Sequence, residues 1–77
     1  MADRITYARQ QRLRLIDFLL AQYGTVRRRA LVDFFDISIP QASADFAFYM
    51  QLAPGNMARD TSKRCYVKLP TFQRFYP

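Results

Sequence analysis

Apolar residues in the first third of the chain recur at spacings of three and four positions. This period places them on one face of a helix, because an α-helix completes a turn about every 3.6 residues. The pattern predicts a long helix over residues 6–23, and Gly24 is a suitable residue to end it. The core-facing stripe of this helix is predicted to comprise Leu13, Ile16, Leu20 and Tyr23.

A second, shorter helix is predicted over residues 28–35. Thr25 and Val26 precede it and are expected to form a short extended link. Asp36 and Ile37 are expected to form the turn that follows it. The side chains expected on its inward face are Ala30, Leu31, Phe34 and Phe35.

Signals for the start of a third helix cluster near the middle of the chain. Ser38 is a favourable N-cap, and Gln41 three positions later completes the pattern of a capping box. Pro40 is tolerated in a first turn, since the N–H that it lacks would have no helical partner there. The helix is predicted over residues 39–52 and ends at "APGN", residues 53–56. Its core face is predicted to comprise Ala42, Phe46, Tyr49 and Ala53.

Two short strands joined by a polar turn are predicted after the third helix. Residues 57–60 and 65–69 have strand character, with "TSKR" between them, and together they form a predicted wing over residues 57–69. The tail over residues 70–77, "PTFQRFYP", is rich in aromatic residues and is expected to pack on the domain. Alternation in the second strand predicts that Cys65, Val67 and Leu69 share one face and that Tyr66 and Lys68 share the other.

The order of these elements is that of a winged helix-turn-helix, which is mainly α with a small β-hairpin wing. The short turn between the second and third helices fixes a wide crossing angle between them. The third helix is then free to enter a major groove of DNA. With 77 residues, the chain is expected to form this one domain over residues 1–77.

The chain is strongly basic, with 12 Lys and Arg residues against 6 acidic residues and a formal net charge of +6. This balance indicates an anionic partner, and nucleic acid is the leading candidate for a small basic domain. A membrane surface fits less well, since the basic residues do not line one face of a long amphipathic helix. A basic composition that serves solubility alone is the alternative that charge leaves open.

The composition also favours a cytoplasmic protein. Charged residues interrupt the N-terminal segment, which a signal peptide does not show. No apolar run approaches the ~18 residues of a membrane span. Cys65 is the single cysteine, which rules out an internal disulfide and suits a reducing compartment. Association with the nucleoid is expected if the anionic partner is chromosomal DNA.

Catalysis is not expected from this set of residues. The sequence contains no His and no Glu, and general acid–base and metal chemistry draw mostly on His, Glu, Asp and Cys. Scattered Asp residues and one Cys make a poor catalytic set. We therefore predict neither an active site nor a bound metal or cofactor.

The segment "YGTVRRRALVDFFDISIPQASADF" resembles the DeoR-like helix-turn-helix at the head of bacterial WYL-domain regulators. The stretch "SIPQASADFAFYMQLAPGNMARDTSKRCY" is most similar to one branch, the BREX- and CBASS-associated WYL repressors that control phage-defence islands. The resemblance covers roughly residues 10–75. The residues that carry it are Ser38, Gln41, Ala42, Ser43, Asp45, Tyr49, Leu52, Ala53, Pro54, Asn56, Asp60, Tyr66 and Phe72.

The resemblance implies a sequence-specific binder of double-stranded DNA that acts as a transcriptional repressor. The family's ligand-sensing WYL domain would begin where this chain ends, so we expect an excised DNA-binding module or a free-standing relative, with no small-molecule ligand in this segment. Many relatives carry Arg or Lys where Ala44 stands, which argues against strongly charged base contacts. The competing hypothesis is a protein–protein interaction module that keeps the winged-helix fold without specific DNA contacts.

The basic residues bracket the third helix, since no Lys or Arg occurs between Arg29 and Arg59. Phosphate contacts position a protein on DNA, whereas base contacts specify the sequence. Relatives contact the DNA backbone at the start of the second helix, where "RRR" stands here, although such a run can also be a solvated face. The predicted backbone contacts are Arg27, Arg28, Arg29, Ser38, Arg59, Lys63 and Arg64.

Base contacts are predicted from the neutral third helix. A Gln amide can pair with adenine, a Ser hydroxyl can bond to several bases, and Ala or Pro can contact a thymine methyl group. For Gln41, closure of the capping box is an equally good interpretation. Asp45 is expected to hold a nearby Arg or backbone group. The predicted base contacts are Pro40, Gln41, Ser43 and Ala44.

The first helix carries more apolar side chains than one core contact needs. They either bury the helix on two sides within its own domain or pack on a second subunit. Because one winged helix covers a single half-site, we predict a homodimer bound to an inverted repeat operator. The predicted dimer contacts are Leu15, Phe18, Leu19, Phe72, Phe75 and Tyr76.

Overall fold

Three helices and a small antiparallel sheet make up the fold, as the sequence predicts. The computed structural model describes residues 5–76. Residues 1–4 of the predicted domain and Pro77 of the predicted tail lie outside the described residues. In chain order the elements are α1 (Tyr7–Tyr23), β1 (Thr25–Val26), α2 (Arg28–Phe35), α3 (Ile39–Leu52), β2 (Met57–Asp60) and β3 (Cys65–Lys68).

Four of the helix ends lie at residues whose side chains or backbone angles satisfy exposed peptide groups. The side chain of Thr6 accepts a hydrogen bond from a backbone N–H in the first turn of α1, and Ser38 does the same for α3. Gly24 ends α1 at φ 79°, in the left-handed region that glycine adopts at little cost. Asp36 ends α2 in the same region, at φ 56°.

The sheet contains one more strand than the sequence predicts. Thr25 and Val26, expected to be a link, form β1 and pair with Val67 and Tyr66 of β3. The strand order is β1–β3–β2, so β3 is central and the wing is joined to the end of α1. A strand of two residues is too short to show a period-2 pattern, and for this reason the sequence predicts the extended conformation but not the pairing.

The core lies where the three helices meet the sheet, and most predicted inward residues reach it. Two do not, because Tyr23 and Phe34 are each 70% exposed. Tyr23 is the last residue of α1, where the chain turns away, and Phe34 lies edge-on against Phe35, which takes the inward position. The buried apolar side chains are Leu13, Ile16, Leu20, Val26, Leu31, Ala42, Phe46, Tyr49, Met57, Cys65, Tyr66 and Tyr76.

Tyr66 lies on the face of β3 opposite Cys65, as the alternation predicts, but the strand is not half-buried at this point, because Tyr66 is buried as well. Its side chain is only 7% exposed and stacks on Phe46 of α3, with ring centroids 4.1 Å apart and the planes 5° from parallel. Cys65 on the opposite face is also buried. Phe46 of α3 and the Arg59 guanidinium cover the Tyr66 face, so both faces of β3 are covered at this point.

A buried carboxylate on α1 holds the tail against the helices. Asp17 is fully buried and accepts hydrogen bonds from the Tyr49 hydroxyl at 2.5 Å and from Arg74 Nε at 2.6 Å. The backbone N–H groups of Phe75 and Tyr76 donate to the same carboxylate, at 2.9 and 3.2 Å. The end of the tail therefore supplies the Arg74 charge and two backbone donors that compensate the buried negative charge of Asp17.

These contacts set the protonation of both buried groups. Burial alone would raise the pKa of Asp17, but the hydrogen bonds from Tyr49, Phe75, Arg74 and Tyr76 together outweigh it and lower the pKa below its ordinary value. Burial and the bond to Asp17 raise the pKa of the Tyr49 hydroxyl. The pair is therefore a charged carboxylate with a neutral phenol at ordinary pH.

Asn56 provides a second attachment for the tail. Its Nδ2 group donates to the Tyr49 hydroxyl at 3.0 Å and to the carbonyl oxygen of Gln73 at 2.7 Å. Its Oδ1 atom accepts from the backbone N–H of Gln73 at 3.0 Å. Thr71 also bonds to the carbonyl oxygen of Gly55. The prediction that the tail packs on the domain is confirmed for its described residues.

We expect Asp17→Asn to destabilise the domain by about 2–3 kcal/mol, because hydrogen bonds to a buried charge are lost or reversed. Urea unfolding measures this effect. Asp33→Asn is the matched control, since Asp33 is 69% exposed and lies 3.9 Å from Arg29 in a surface pair. Its effect should stay within about 0.5 kcal/mol. Equal effects of the two substitutions would contradict the role assigned to Asp17.

The stability difference between the wild type and Asp17→Asn should depend on pH. The folded pKa of Asp17 lies below the unfolded value of about 3.9, so the unfolded chain binds the proton more readily. The contribution is therefore fully present above about pH 4 and is lost as the pH falls through the lower, folded pKa. Urea unfolding of both proteins between about pH 6 and pH 2 tests this. A difference that stays constant over that range would be the contrary result.

Candidate nucleic-acid interface

Helices α2 and α3 and the short turn over residues 36–38 form the helix-turn-helix. One side of α3 lies in the core through Ala42, Phe46 and Tyr49. The opposite side is exposed at Pro40, Ala44, Ala47 and Gln51. This exposed side bears no charge and has the position from which the second helix of such a motif enters a major groove.

The four predicted base-contacting residues lie together in the first half of α3. Pro40 and Ala44 are exposed, whereas Gln41 and Ser43 are half-buried and already hydrogen-bonded. The Oγ atom of Ser43 accepts from Arg28 Nη1 at 3.0 Å. This bond ties the start of α2 to α3.

The capping box at the start of α3 is only half formed. Ser38 accepts a bond from the backbone N–H of Gln41 at 3.2 Å, as predicted. The Gln41 side chain, however, donates from Nε2 to Asp45 Oδ1 at 3.2 Å in place of a return bond to Ser38. In a complete capping box the Gln41 side-chain oxygen would accept from the backbone N–H of Ser38. The Gln41 amide is turned to Asp45 instead, so the capping-box interpretation of Gln41 is wrong.

Asp45 joins α1 to α3, and its expected role as an Arg partner is confirmed. The carboxylate is fully buried and accepts from Arg9 Nε at 3.1 Å and from Arg12 Nε at 2.5 Å. Arg12 Nη2 adds a bond at 3.3 Å. The Arg9 guanidinium also lies over the ring of Phe48, 4.8 Å from its centroid. Two guanidinium groups on one carboxylate leave positive charge beside the first half of α3.

Sequence reasoning missed Arg9 and Arg12 as part of this surface. They lie 36 and 33 positions from Asp45 in the chain. Helical periodicity carries no information on a contact at that separation. The one available signal was that Asp45 on a core-facing side of α3 needs a buried positive partner.

The wing is fixed to α3 through aromatic stacking. Arg59 of β2 lies opposite Tyr66 in the ladder, and its guanidinium is 5.3 Å from the Tyr66 ring centroid. Arg59 Nη1 also lies 3.5 Å from the Tyr66 hydroxyl. Because Tyr66 in turn stacks on Phe46, Arg59 is held at a set distance from α3. Lys63 and Arg64 are exposed in the turn between β2 and β3.

A shallow groove of about 380 Å³ runs between α3 and the wing. Its lining adds three side chains of α3 that were not predicted as contacts, and these lie further along the helix than the four predicted ones. Their side chains are small, amide or thioether groups, so the groove has a neutral wall and one cationic edge. It is lined by Ser43, Ala47, Met50, Gln51, Arg59 and Tyr66.

The three arginines at the start of α2 do not share one direction. Arg28 bonds to α3 through Ser43. Arg27 and Arg29 instead line a second groove, with the end of α1 and with Asp33. Arg29 forms only a long surface pair with Asp33 at 3.9 Å, which contributes little stability.

The predicted dimer contacts differ in how much surface they offer. Phe18 and Phe75 are 45% and 41% exposed. Tyr76 is 8% exposed and belongs to the core, so its inclusion among the free apolar surface was wrong. Its N–H is bonded to Asp17, which turns the ring inward. The remaining three, Leu15, Leu19 and Phe72, are half-buried against the core.

Two other features bear on function. None of the helices within residues 5–76 has the length and hydropathy needed to cross a membrane. Among the same described residues, His, Cys, Asp and Glu side chains do not gather into a group of three or more that could hold a metal ion.

Comparison with known proteins identifies the family. Residues 8–76 match the BrxR transcriptional regulator winged helix-turn-helix domain. A DNA-binding transcriptional repressor CapW from Stenotrophomonas maltophilia is 42% identical over 72 residues, which cover 94% of this chain and 24% of that protein. The repressors of the same name from Escherichia coli (strain KTE188) and Pseudomonas aeruginosa are 43% and 39% identical, over 91% and 92% of this chain and 23% and 24% of theirs.

The chain thus spans about a quarter of the length of these curated relatives. The resemblance drawn from the segments "QAS", residues 41–43, and "LAP", residues 52–54, is confirmed by a match over nearly every described residue. The chain belongs to the BrxR transcriptional regulator winged helix-turn-helix domain family.

Proposed function

We propose that this domain binds a specific double-stranded DNA sequence, with α3 in the major groove, as the DNA-binding part of a transcriptional repressor. The observation that carries the proposal is the neutral exposed side of α3, flanked by cations on α1, α2 and the wing. The names of the relatives, which are DNA-binding transcriptional repressors, support the same function. A cytoplasmic location at the nucleoid and the control of phage-defence genes are parts of this proposal.

The flanking cations are suited to contact phosphates on both sides of the groove. Lys63 and Arg64 are exposed at the tip of the wing, and Arg59 stands between them and α3. Arg9 lies on the opposite flank of α3 through its bond to Asp45, whereas Arg28 bonds to Ser43, which lines the groove beside the wing. Neutralised phosphates release counterions, so binding of this kind weakens steeply as salt rises.

The neutral side of α3 is suited to base contacts that do not rely on charge. Pro40 and Ala44 present apolar surface to a thymine methyl group, and Gln41 and Ser43 present an amide and a hydroxyl. Gln51 adds a second amide further along the helix. Specificity would then come from hydrogen-bond polarity and shape, while the cations set the register.

The alternative of a protein-interaction module is favoured by the groove beside Tyr23 and Arg27, which needs no DNA. It does not account for cations on both flanks of α3. The two hypotheses differ in their response to salt, since specific DNA binding should weaken more steeply with salt than binding of a protein partner in that groove.

We also propose a homodimer that binds an inverted repeat. A single winged helix covers one half-site, and specificity adequate for a genome usually needs two. Phe18 and Phe75 supply exposed apolar surface at the junction of α1 and the tail, where the Phe75 N–H is bonded to Asp17. The other predicted contacts, Leu15 and Leu19 of α1 and Phe72 of the tail, are half-buried side chains that pack against the core.

Selection of bound duplexes from a random pool tests the proposed function and supplies a site. On that site and on unrelated duplexes alike, Arg64→Ala should weaken binding and reduce the slope of log K against log salt by about one unit. Arg14→Ala is the control, since it removes the same charge from a guanidinium that lies over Tyr76. It should leave the slope nearly unchanged. An altered base preference at undiminished affinity would contradict the assignment of Arg64 to a phosphate.

Sedimentation at several protein concentrations, with and without the selected duplex, tests the dimer. We expect self-association that the duplex strengthens and that Phe18→Ser or Phe75→Ser weakens, because each removes exposed apolar area. Phe34→Ser is the control, since Phe34 is a 70% exposed ring on α2, a helix that carries none of the proposed dimer contacts. A monomer that occupies single half-sites without cooperativity would show that the proposed dimer does not form.

A further inference from the structure

The hydrogen-bond polarity of Gln41 is fixed by its neighbour on α3. Gln41 Nε2 lies 3.2 Å from Asp45 Oδ1, one helical turn away. An ionised carboxylate only accepts hydrogen bonds, so the NH₂ end of the amide must face it. The carbonyl end, Oε1, is then the end that the amide turns away from Asp45.

Asp45 itself has no freedom to reverse this arrangement. Its side chain is fully buried, and arginines of α1 hold both of its oxygens: Arg9 Nε at 3.1 Å on Oδ1 and Arg12 Nε at 2.5 Å on Oδ2. Such charge-assisted bonds are about twice as strong as neutral ones. The preference of Gln41 for one orientation is therefore set by contacts outside α3.

Ser43 shows the opposite polarity. Its Oγ atom accepts from Arg28 Nη1 at 3.0 Å. Since a guanidinium only donates, the hydroxyl hydrogen of Ser43 points to another acceptor. The two polar side chains at this end of α3 thus present an acceptor at Gln41 and a donor at Ser43.

We propose that Asp45 is a positioning residue that makes Gln41 select a base with an exocyclic amino group. In the major groove adenine N6 and cytosine N4 carry such a donor, whereas guanine O6 and thymine O4 are acceptors. A freely rotating Gln amide accommodates either kind, because it carries both a carbonyl and an NH₂ group. With its NH₂ end held by Asp45, the amide favours adenine or cytosine. This inference rests on the proposed function.

The test starts from the duplex selected by the wild-type protein. Gln41→Ala identifies the base pair at which Gln41 acts, by a loss of discrimination of about 5- to 150-fold there. We expect adenine or cytosine on the contacted strand at that position. If it is adenine, we replace it by purine, which lacks the amino group. The affinity of the wild type should then fall by a similar factor, whereas the affinity of Gln41→Ala should hardly change. If it is cytosine, an analogue that lacks the N4 amino group serves in the same way.

Asp45→Asn tests the positioning role. The amide that this substitution introduces can donate as well as accept, so discrimination between amino and keto bases at that position should fall while discrimination at other positions persists. Asp60→Asn is the control, since it makes the same change at the end of β2, where Asp60 accepts from the Lys63 N–H. If Asp45→Asn does not fold, the base-analogue measurement on the wild type still decides whether Gln41 selects a base with an amino group.

The outcomes separate the inference from the function on which it rests. Guanine or thymine at the Gln41-dependent position would overturn the inference and leave DNA binding intact. The same conclusion would follow from an unchanged affinity for the analogue without the amino group, or from a selected site at which Gln41→Ala alters no preference. A pool in which no duplex is enriched would overturn the proposed function and this inference together.

Discussion

A fully buried carboxylate on α1, that of Asp17, joins parts of the chain that are far apart in sequence. It bonds to Tyr49 of α3 and to three donors in the tail, 57 to 59 positions away. An unpaired charge inside so small a core would cost several kcal/mol, so the helices and the tail must reach the native arrangement together. Asn56 extends the same network from Tyr49 to Gln73. The tail is consequently a structural part of the domain, and it connects directly to the core side of the helix proposed to enter DNA.

Asp45 is a second buried carboxylate, and the two together change how the charge of the chain should be understood. A net charge of +6 suggests an abundance of free cations. Arg12, however, bonds to Asp45 through both Nε and Nη2, and Arg74 is engaged by Asp17. Arg9 bonds to Asp45 through Nε alone and keeps 29% of its side chain exposed. Exposed cations such as Lys63 and Arg64 stand instead in the turn of the wing. The net charge therefore predicts an anionic partner, whereas the ion pairs within the domain decide which cations remain available to contact that partner.

Local signals predicted the helices and the wing, because each depends on neighbouring residues. Ser38, Pro40 and Gly24 mark helix ends through backbone chemistry that acts within one turn. Contacts that depend on tertiary packing were not predictable in the same way. The pairing of β1 with β3, the burial of Tyr66 under α3 and the bonds from Asp17 to the tail all join distant segments. In the candidate site, the positions on α3 followed from helical period, but the partner of Gln41 depends on arginines of α1 that the period cannot reveal.

Helix α3 is fixed to its neighbours on both flanks by contacts of different chemistry. On one side the ion pairs of Asp45 join it to α1, and on the other the stack of Phe46 on Tyr66 joins it to the wing. The cations proposed to contact phosphates are carried by these same neighbours. Phosphate contacts carry no sequence information, but they set the register of a protein on the duplex. Because the distances from α3 to both sets of cations are fixed by packing, a neutral helix can be held at one depth and register in the groove. Under that constraint, a few hydrogen bonds of set polarity are sufficient to distinguish one base from another.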